Sequence, residues 1–275
     1  MKKSIKKIVF ASFLALFTVC LVACQQQTSN TSQEKKRLVI GATAGPYADM
    51  VKKAIKPGLE EKGYTVEVKE FTDYIQPNNA LAAGELDANL FQHIIYMENF
   101  AKKNNLELTP LIQVPTAPMG IYSNKYKTLS EVPSGATLAL PGDVTNAARA
   151  YNILSKEKLV TLNDNVDVLK ISQKDIKENY KNLAFNEIEA AGLPRAIDSA
   201  DLSAVPGNYA LASKMDLTSA LALEKMDDNY RNRVVVKTKD KDAQFAKDLI
   251  EVVKSEKFNK VIDEEFKGFD KPNYN

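Results

Sequence analysis

Cysteine and histidine are scarce in this sequence, and several short catalytic motifs are missing. The chain of 275 residues has two cysteines and one histidine, His93, so it lacks the ligands of a histidine-based zinc site. The stretch 41–45 (GATAG) lacks the Lys-Ser/Thr end of a phosphate-binding loop, and no GxSxG elbow occurs. We therefore expect neither a metal nor an organic cofactor.

The N-terminus has the layout of an export signal. Four lysines within residues 2–7 precede an apolar run, and the run ends in Leu21-Val22-Ala23-Cys24. A cysteine directly after a small residue resembles a lipobox, the processing site of bacterial lipoproteins. The alternative is a single membrane span, although such a span needs about 20 apolar residues and the run 8–22 is shorter. We expect residues 1–23 to be a signal peptide and Cys24 to carry lipid, with palmitate among the acyl chains.

Removal of the signal peptide changes the composition of the mature chain. It takes away Cys20, so Cys24 is the only cysteine left, which excludes disulfides and thiolate metal sites. It also removes four lysines and no acid, so 33 basic residues face 35 acidic ones and the formal net charge changes from +2 to −2. We therefore expect no nucleic-acid partner. The polar stretch 24–36 is predicted to be a flexible tether.

Strand and helix patterns alternate along the mature chain. A strand at 37–41 is followed by a helix at 46–62, a strand at 64–71, a helix at 77–83, a strand at 86–91 and a helix at 94–104. This α/β order predicts a mostly parallel sheet covered by helices. The pattern restarts after an extended stretch at 111–122. Its second half is predicted to contain, among other elements, a strand at 167–171, a short helix at 176–179 and a helix at 216–225.

The residues that follow strands are candidates for a site, because ligands of open α/β sheets bind beyond the carboxyl ends of the strands. Four such residues combine apolar rings with polar tips: Tyr74, Phe91, His93 and Tyr96. The spacing of His93 and Tyr96 places both on one face of a helix. The group predicts an aromatic pocket for an apolar side chain. The alternative is a structural histidine among core aromatics.

A carboxylate site is the second candidate. Asp143, Thr145 and Asn146 can cap a helix that begins after the strand at 136–140, and Arg149 lies three residues beyond Asn146. Free helix N–H groups and a guanidinium fork suit a carboxylate. The alternative is a solvated arginine on the helix surface.

Paired acids are the only pattern that suggests catalysis. Glu187 and Glu189 alternate near a strand end, where two solvated carboxylates are ordinary. The sequence offers neither an activated nucleophile nor a metal cluster to work with them. We therefore predict that the protein is not an enzyme.

Several blocks of the sequence resemble the NlpA/MetQ family of substrate-binding lipoproteins, from about residue 38 to the C-terminus. The blocks are FTDY at 71–74, GELDANLFQH at 84–93, PGDVTNAARA at 141–150, EIEA at 187–190 and LPR at 193–195. The family implies a two-lobed periplasmic-binding-protein fold, in which each lobe is a mixed sheet flanked by helices and two hinge crossings join the lobes. Lobe 1 would comprise 37–117 and 234–275, and lobe 2 would comprise 118–233.

The resemblance also implies a function. Members of the family deliver an amino acid, usually L-methionine, to an ATP-driven importer. The implied partners are that ligand, an ABC permease and ATPase complex, and the extracytoplasmic face of the cell membrane through the lipid on Cys24; we expect a monomer. The positions that match the family's binding residues are Tyr74, Phe91, His93, Tyr96, Arg149 for the ligand carboxylate, and Asn232.

The sequence departs from the family pattern in two places. The block LPGD at 140–143 stands where family members usually have Val-Pro-Asn-Asp. Pro206 stands where a ligand-binding asparagine is expected, and proline has no N–H or amide to donate. We expect Asn208 to take its place. Because a site that lacks a polar partner discriminates less, the ligand could also be a methionine-containing dipeptide or another amino acid. The sequence also leaves open a non-transport surface lipoprotein or adhesin and, as a different class of protein, an extracytoplasmic enzyme.

Overall fold

The computed structural model describes residues 36–274, so the predicted signal peptide, Cys24 and most of the tether lie outside the described residues. The strands of this part are β1 (Arg37–Thr43), β2 (Thr65–Phe71), β3 (Ala88–His93), β4 (Leu108–Gln113), β5 (Gly120–Tyr122), β6 (Thr137–Pro141), β7 (Val160–Leu162), β8 (Ile176–Asn179), β9 (Ala184–Ile188), β10 (Leu202–Val205), β11 (Ala222–Leu223) and β12 (Asn232–Lys237). The helices are α1 (Pro46–Met50, continued by Val51–Ile55 and Lys56–Glu61), α2 (Gln76–Ala83), α3 (Ile94–Asn104), α4 (Val144–Lys156), α5 (Leu193–Ala196), α6 (Gly207–Ala212), α7 (Gln244–Lys254) and α8 (Glu256–Glu265). No helix within 36–274 is long and apolar enough to cross a bilayer.

The first sheet has the strand order β2-β1-β3-β12-β4. β1 is parallel to β2 and β3, whereas β12 is antiparallel to β3 and β4. Side chains alternate between the two faces, as the period of a strand requires. Val234 and Val236 pack into the core beneath α1, α7 and α8, and Val235 packs with Leu81 and Met97 beneath α2 and α3. Helices therefore cover both faces of this mixed sheet.

The second sheet has the order β11-β5-β10-β6-β9. β6 is parallel to β10 and β9, and β5 is antiparallel to β10 and β11. One face packs against α4 through Tyr151 and Leu154, and the other packs against α5 and α6. The chain passes between the two sheets twice, at 114–119 and at 224–231. The carboxyl ends of β3 and β6 approach each other there, since α3 and α4, which follow these strands, are in contact.

The first helix continues through Pro57 and Gly58, two residues that often end helices. A π-helical turn, Val51–Ile55, lies directly before this pair, where the missing proline N–H would interrupt the regular hydrogen-bond ladder. A Cβ atom on Gly58 would lie 2.7 Å from a methyl carbon of Val252. The glycine thus allows α1 to approach α7 closely.

Three elements predicted for the second half of the chain are wrong. The stretch 167–171 is a turn, because the Asp167 carboxylate accepts the N–H of Leu169 (3.0 Å) and its carbonyl accepts the N–H of Lys170 (2.9 Å). The stretch 176–179 is strand β8, which pairs with β7 in a separate ribbon. The stretch 216–225 divides into a short 3-10 turn, capped by Asp216, and the edge strand β11. The strands at 176–179 and 222–223 form because they pair with strands elsewhere in the chain, and a local sequence pattern does not reveal such a partner.

Candidate functional site

A narrow cavity lies where the two sheets meet. Its walls come from the start of α1, the segment after β2, the end of β3, the first turns of α3, α4 and α6, the first crossing between the sheets and the start of β12. All seven residues predicted to bind a ligand line it: Tyr74, Phe91, His93, Tyr96, Arg149, Asn208 and Asn232. The structure thus brings together residues that are up to 158 positions apart in the sequence.

Aromatic rings form one wall of the cavity. The rings of Tyr74 and Phe91 are stacked with 5.8 Å between their centroids, and Tyr96 meets both edge-on at 5.8 and 6.0 Å. The Tyr96 hydroxyl donates to the carbonyl oxygen of Tyr74 at 3.0 Å, which fixes its ring. Such a wall suits an apolar or thioether side chain, because sulfur and methylene groups pack well against ring faces and edges.

His93 ends β3 and caps α3. Its Nδ1 accepts the N–H of Tyr96 (3.1 Å), so Nε2 carries the proton of the neutral ring and donates to Oδ1 of Asn146 (3.3 Å). Burial and the nearby Arg149 charge, which outweigh the hydrogen bond to Asn146, lower the pKa of His93 from 6.5 to about 3. The ring is therefore neutral in the folded protein at physiological pH.

The lowered pKa of His93 predicts that the free energy of unfolding decreases as the pH is lowered from about 6.5 toward 3. The unfolded chain takes up a proton on this histidine below about pH 6.5, whereas the folded chain does so only near pH 3, so the contribution is complete above 6.5 and is lost toward 3. Between pH 7 and pH 5 the expected loss is about 2 kcal/mol, measured by urea denaturation. Since His93 is the only histidine, His93→Gln should remove this slope. An identical slope in the variant would contradict the assignment.

Arg149 projects from α4 and is almost fully buried, as is its partner Glu224. The Nε atom donates to Glu224 Oε1 (2.6 Å) and Nη2 donates to Oε2 (2.5 Å). The guanidinium carbon also lies 5.4 Å from the ring centroid of Tyr230. Burial alone would lower the pKa of Arg149, but the charge and hydrogen bonds of Glu224 outweigh it and the pKa is raised. The arginine is thus a fixed cation, with Nη1 free of hydrogen bonds within the described chain.

Asn208 stands in the first turn of α6, two residues after Pro206, which is buried at the N-cap position. Its Oδ1 accepts the Tyr74 hydroxyl at 2.7 Å, and within residues 36–274 its buried Nδ2 has no hydrogen-bond partner. An unpaired buried amide is costly unless a ligand atom satisfies it. Gly207, beside it, admits no side chain, because a Cβ would lie 2.4 Å from the carbonyl oxygen of Pro118.

Asn232 begins β12 and is held on both sides. Its Nδ2 donates to the carbonyl oxygen of Phe91 (2.9 Å), and its backbone N–H donates to Oγ1 of Thr116 (2.8 Å). The asparagine therefore links the second crossing to the first crossing and to the carboxyl end of β3.

Two residues of the site were missed from the sequence. Glu224 fell in a stretch predicted to be helical, and no local pattern relates it to Arg149. Tyr47 lines the cavity from the start of α1, and its hydroxyl accepts the N–H of Ala117 at 3.4 Å. Burial raises the pKa of Tyr47 to about 12, so its hydroxyl stays protonated. Its position after the carboxyl end of β1 is a signal that could have found it.

Direct hydrogen bonds join the two halves of the site. Besides the bonds from Tyr74 to Asn208 and from His93 to Asn146, the hydroxyl of Tyr209 donates to the carbonyl oxygen of Thr72 (3.1 Å). Thr72, Tyr74 and His93 belong to elements around the first sheet. Their partners Tyr209, Asn208 and Asn146 belong to elements around the second sheet. These contacts bring the sheets together around the cavity.

A buried amide cluster supports the cavity from behind β3. Asn78 on α2 exchanges two 2.7 Å hydrogen bonds with Gln92, and its Oδ1 also accepts from Asn89 (2.9 Å). Gln92 in turn donates to Oδ1 of Asn89 (3.1 Å). The cluster locks β3 against α2 and so sets the positions of Phe91 and His93. It gives a physical reason for the polar residues in the block GELDANLFQH.

The space at the mouth of the cleft is wider. A second cavity, of about 340 Å³, shares Tyr74 and Tyr96 with the first and extends to Asp143, Val144 and Glu189. Neither Glu187 nor Glu189 lines the inner cavity. Among residues 36–274, no group of three or more histidine, cysteine or acidic side chains is arranged to hold a metal ion.

Comparison with known proteins agrees with this architecture. The model of the NlpA lipoprotein family matches residues 38–274. The methionine-binding lipoprotein MetQ of Bacillus subtilis (strain 168) is 36% identical over 268 residues, which cover 96% of this chain and 97% of that protein. A nutrient binding protein from Burkholderia cenocepacia, solved bound to methionine, is 36% identical with a TM-score of 0.80 and covers 84% of this chain and 97% of its own.

A further solved structure has the same architecture. The periplasmic substrate-binding protein of an ABC transporter from Coxiella burnetii is 31% identical with a TM-score of 0.81, covering 86% of this chain and 100% of its own. These matches confirm the predicted two-lobed periplasmic-binding-protein fold, in which each lobe carries one of the two sheets. Because the family model spans nearly all of the described residues, the chain belongs to the NlpA lipoprotein family.

Proposed function

We propose that this protein is a lipid-anchored, extracytoplasmic substrate-binding protein of an ABC amino-acid importer and that its ligand is L-methionine. The observation that carries the proposal is one buried cavity that combines an aromatic wall, a fixed guanidinium and an unpaired amide. The proteins it resembles are named for methionine binding and for substrate binding in an ABC transporter. The protein would bind its ligand without chemical conversion.

The proposed binding mode follows from the chemistry of the cavity walls. The ligand carboxylate would accept from the free Nη1 side of Arg149, and the Nδ2 of Asn208 would donate to a second ligand oxygen. The thioether chain would lie among Tyr74, Phe91 and Tyr96, where a sulfur–aromatic contact contributes about 0.3–1.5 kcal/mol. His93 and Asn232 would fix the remaining polar groups.

The two lobes are proposed to close on the ligand about the two crossings between the sheets, 114–119 and 224–231. The proposed division is 37–117 with 234–275 for lobe 1 and 118–233 for lobe 2. The division of the strands between two sheets supports it. Closure of two lobes around a ligand is a hinge motion, and the closed form would be the one that the permease and ATPase complex recognises.

Anchoring completes the proposal. Cys24 would carry lipid, including palmitate, and the stretch 24–36 would tether the domain to the outer face of the cell membrane as a monomer. The membership of the chain in a lipoprotein family supports this arrangement. A short tether raises the effective concentration of the domain near a membrane partner.

A different ligand is the second candidate, and the mouth of the cleft favours it. The wide space there is continuous with the aromatic wall through Tyr74 and Tyr96, and Pro206 removes one polar partner of a free amino acid. A methionine-containing dipeptide could extend its second residue into this space.

Native mass spectrometry and calorimetry test the proposal. We expect the mature protein to copurify with a ligand of the mass of methionine and, once stripped of it, to bind L-methionine more tightly than a methionine-containing dipeptide or L-glutamate. No heat of binding at millimolar L-methionine would reject methionine as the ligand. Tighter binding of the dipeptide would select the second candidate.

A further inference from the structure

We propose that Glu224 keeps the ligand cavity electrically neutral and thereby makes it select a zwitterion over an anion of the same shape. The proposal rests on the proposed function, because it describes how the same cavity discriminates among ligands. Glu224 would be a specificity-determining residue that acts through Arg149 without touching the ligand.

The guanidinium group of Arg149 has one edge bound to Glu224 and one nitrogen left for a ligand. Glu224 occupies the edge formed by Nε and Nη2, with distances of 2.6 and 2.5 Å, and the sulfur of Met226 lies 4.0 Å from Nη2. Nη1 remains for a ligand carboxylate. Glu224 itself is not part of the cavity wall. It is therefore placed behind the arginine, where it compensates the charge without competing for the ligand edge.

Glu224 is held in this place by the first crossing between the lobes. Its Oε2 accepts the backbone N–H of Met119 at 3.0 Å, and its own N–H donates to the carbonyl oxygen of Met119 at 2.8 Å. Its side chain is only 5% exposed. The carboxylate cannot swing into solvent without breaking these bonds, so its negative charge is a permanent part of the site.

The charges around the cavity add up to zero. Among the described residues that line it, Arg149 is the only charged one, and His93 is neutral. Glu224 cancels the arginine. Further charged groups lie outside the wall: the acids Asp73, Asp143 and Glu189, and Arg233 in β12. All four are partly or fully exposed, so water screens their charges, and the buried balance is set by Arg149 and Glu224.

A neutral cavity favours a ligand of zero net charge. An amino-acid zwitterion brings a carboxylate for Arg149 together with its own ammonium, so the closed site stays neutral. An anion of the same shape would leave one uncompensated buried charge, which is strongly unfavourable in a site shielded from water. Without the charge of Glu224 the balance reverses, because the anion would then neutralise Arg149.

The test compares two ligands that differ only in the ammonium group: L-methionine and 4-(methylthio)butanoate. Calorimetry gives the ratio of their dissociation constants for the wild-type protein and for Glu224→Gln. We expect wild type to prefer methionine and Glu224→Gln to shift the ratio toward the anion by at least about tenfold, equivalent to about 1.4 kcal/mol. The ratio is informative because a general loosening of the fold weakens the binding of both ligands and leaves their ratio unchanged.

Glu178→Gln is the matched control, because it removes an exposed acid from β8, which lines neither cavity, and should leave the ratio at the wild-type value. An unchanged ratio in Glu224→Gln would overturn the inference. If Glu224→Gln does not fold, the affinities of the wild-type protein alone test the inference. Equal affinity of wild type for the anion and for methionine would overturn it. Failure of wild type to bind methionine at all would instead reject the proposed function.

Discussion

Replacing Arg149 with alanine is expected to abolish most ligand binding and to destabilise the fold at the same time. Loss of a charged hydrogen bond to the ligand carboxylate should weaken binding by about 1.5–3 kcal/mol, or about 10- to 100-fold. The variant also leaves the buried Glu224 carboxylate without its partner, and breaking such a pair costs about 3–5 kcal/mol of folding free energy. Calorimetry and urea denaturation measure the two effects separately.

Two variants separate the loss of the ligand contact from the loss of stability. The double variant Arg149→Leu with Glu224→Leu replaces the ion pair by apolar side chains, so it should recover much of the stability but none of the binding. Arg195→Ala removes an exposed arginine from α5 and should change neither quantity. Wild-type affinity in the double variant would show that Arg149 does not hold the ligand.

The second large effect is expected for Asn78, far from any ligand contact. Asn78→Ala removes a fully buried amide, leaves Oε1 of Gln92 without its donor, and takes one of two acceptors from Nε2 of Gln92 and from Nδ2 of Asn89. An unsatisfied buried group costs about 1–3 kcal/mol and each lost hydrogen bond about 0.5–1.5 kcal/mol, so we expect a loss of about 3 kcal/mol in the free energy of unfolding. Because β3 is then attached less firmly to α2, the ligand affinity should fall as well.

Asn79→Ala is a control at the neighbouring position of the same helix. Asn79 is exposed, and the same substitution there should change stability by less than about 0.5 kcal/mol. Urea denaturation of both variants measures the difference. Equal stability of the two variants would mean that the amide cluster does not stabilise β3.

The parts of the fold that could be predicted are those in which local pattern and tertiary structure agree. The helix at 94–104 has the predicted bounds, because its apolar spacing coincides with the final packing. The ribbon of β7 and β8 and the edge strand β11 were not predicted. Their strand conformation depends on a partner elsewhere in the chain, and a single stretch of sequence does not reveal that partner.

The candidate site likewise contains residues that the sequence predicts and residues that it does not. Tyr74 follows β2, Phe91 and His93 lie at the end of β3, and Arg149 lies in the first half of α4. Topology alone brings such positions to one edge of the sheets. Glu224 follows the edge strand β11, and its pairing with Arg149 joins residues 75 positions apart. The local sequence around Glu224 shows neither that it is buried nor which cation it faces.

The direct bonds between the lobes bear on how fast a ligand can leave. The bonds from Tyr74 to Asn208, from His93 to Asn146 and from Tyr209 to Thr72 close the cavity without any atom of the ligand. We expect all three to break when the lobes open. The opening rate of the lobes, together with the ligand's own contacts, is then expected to govern the residence time, so that two ligands of unequal affinity can share the same slow step of release.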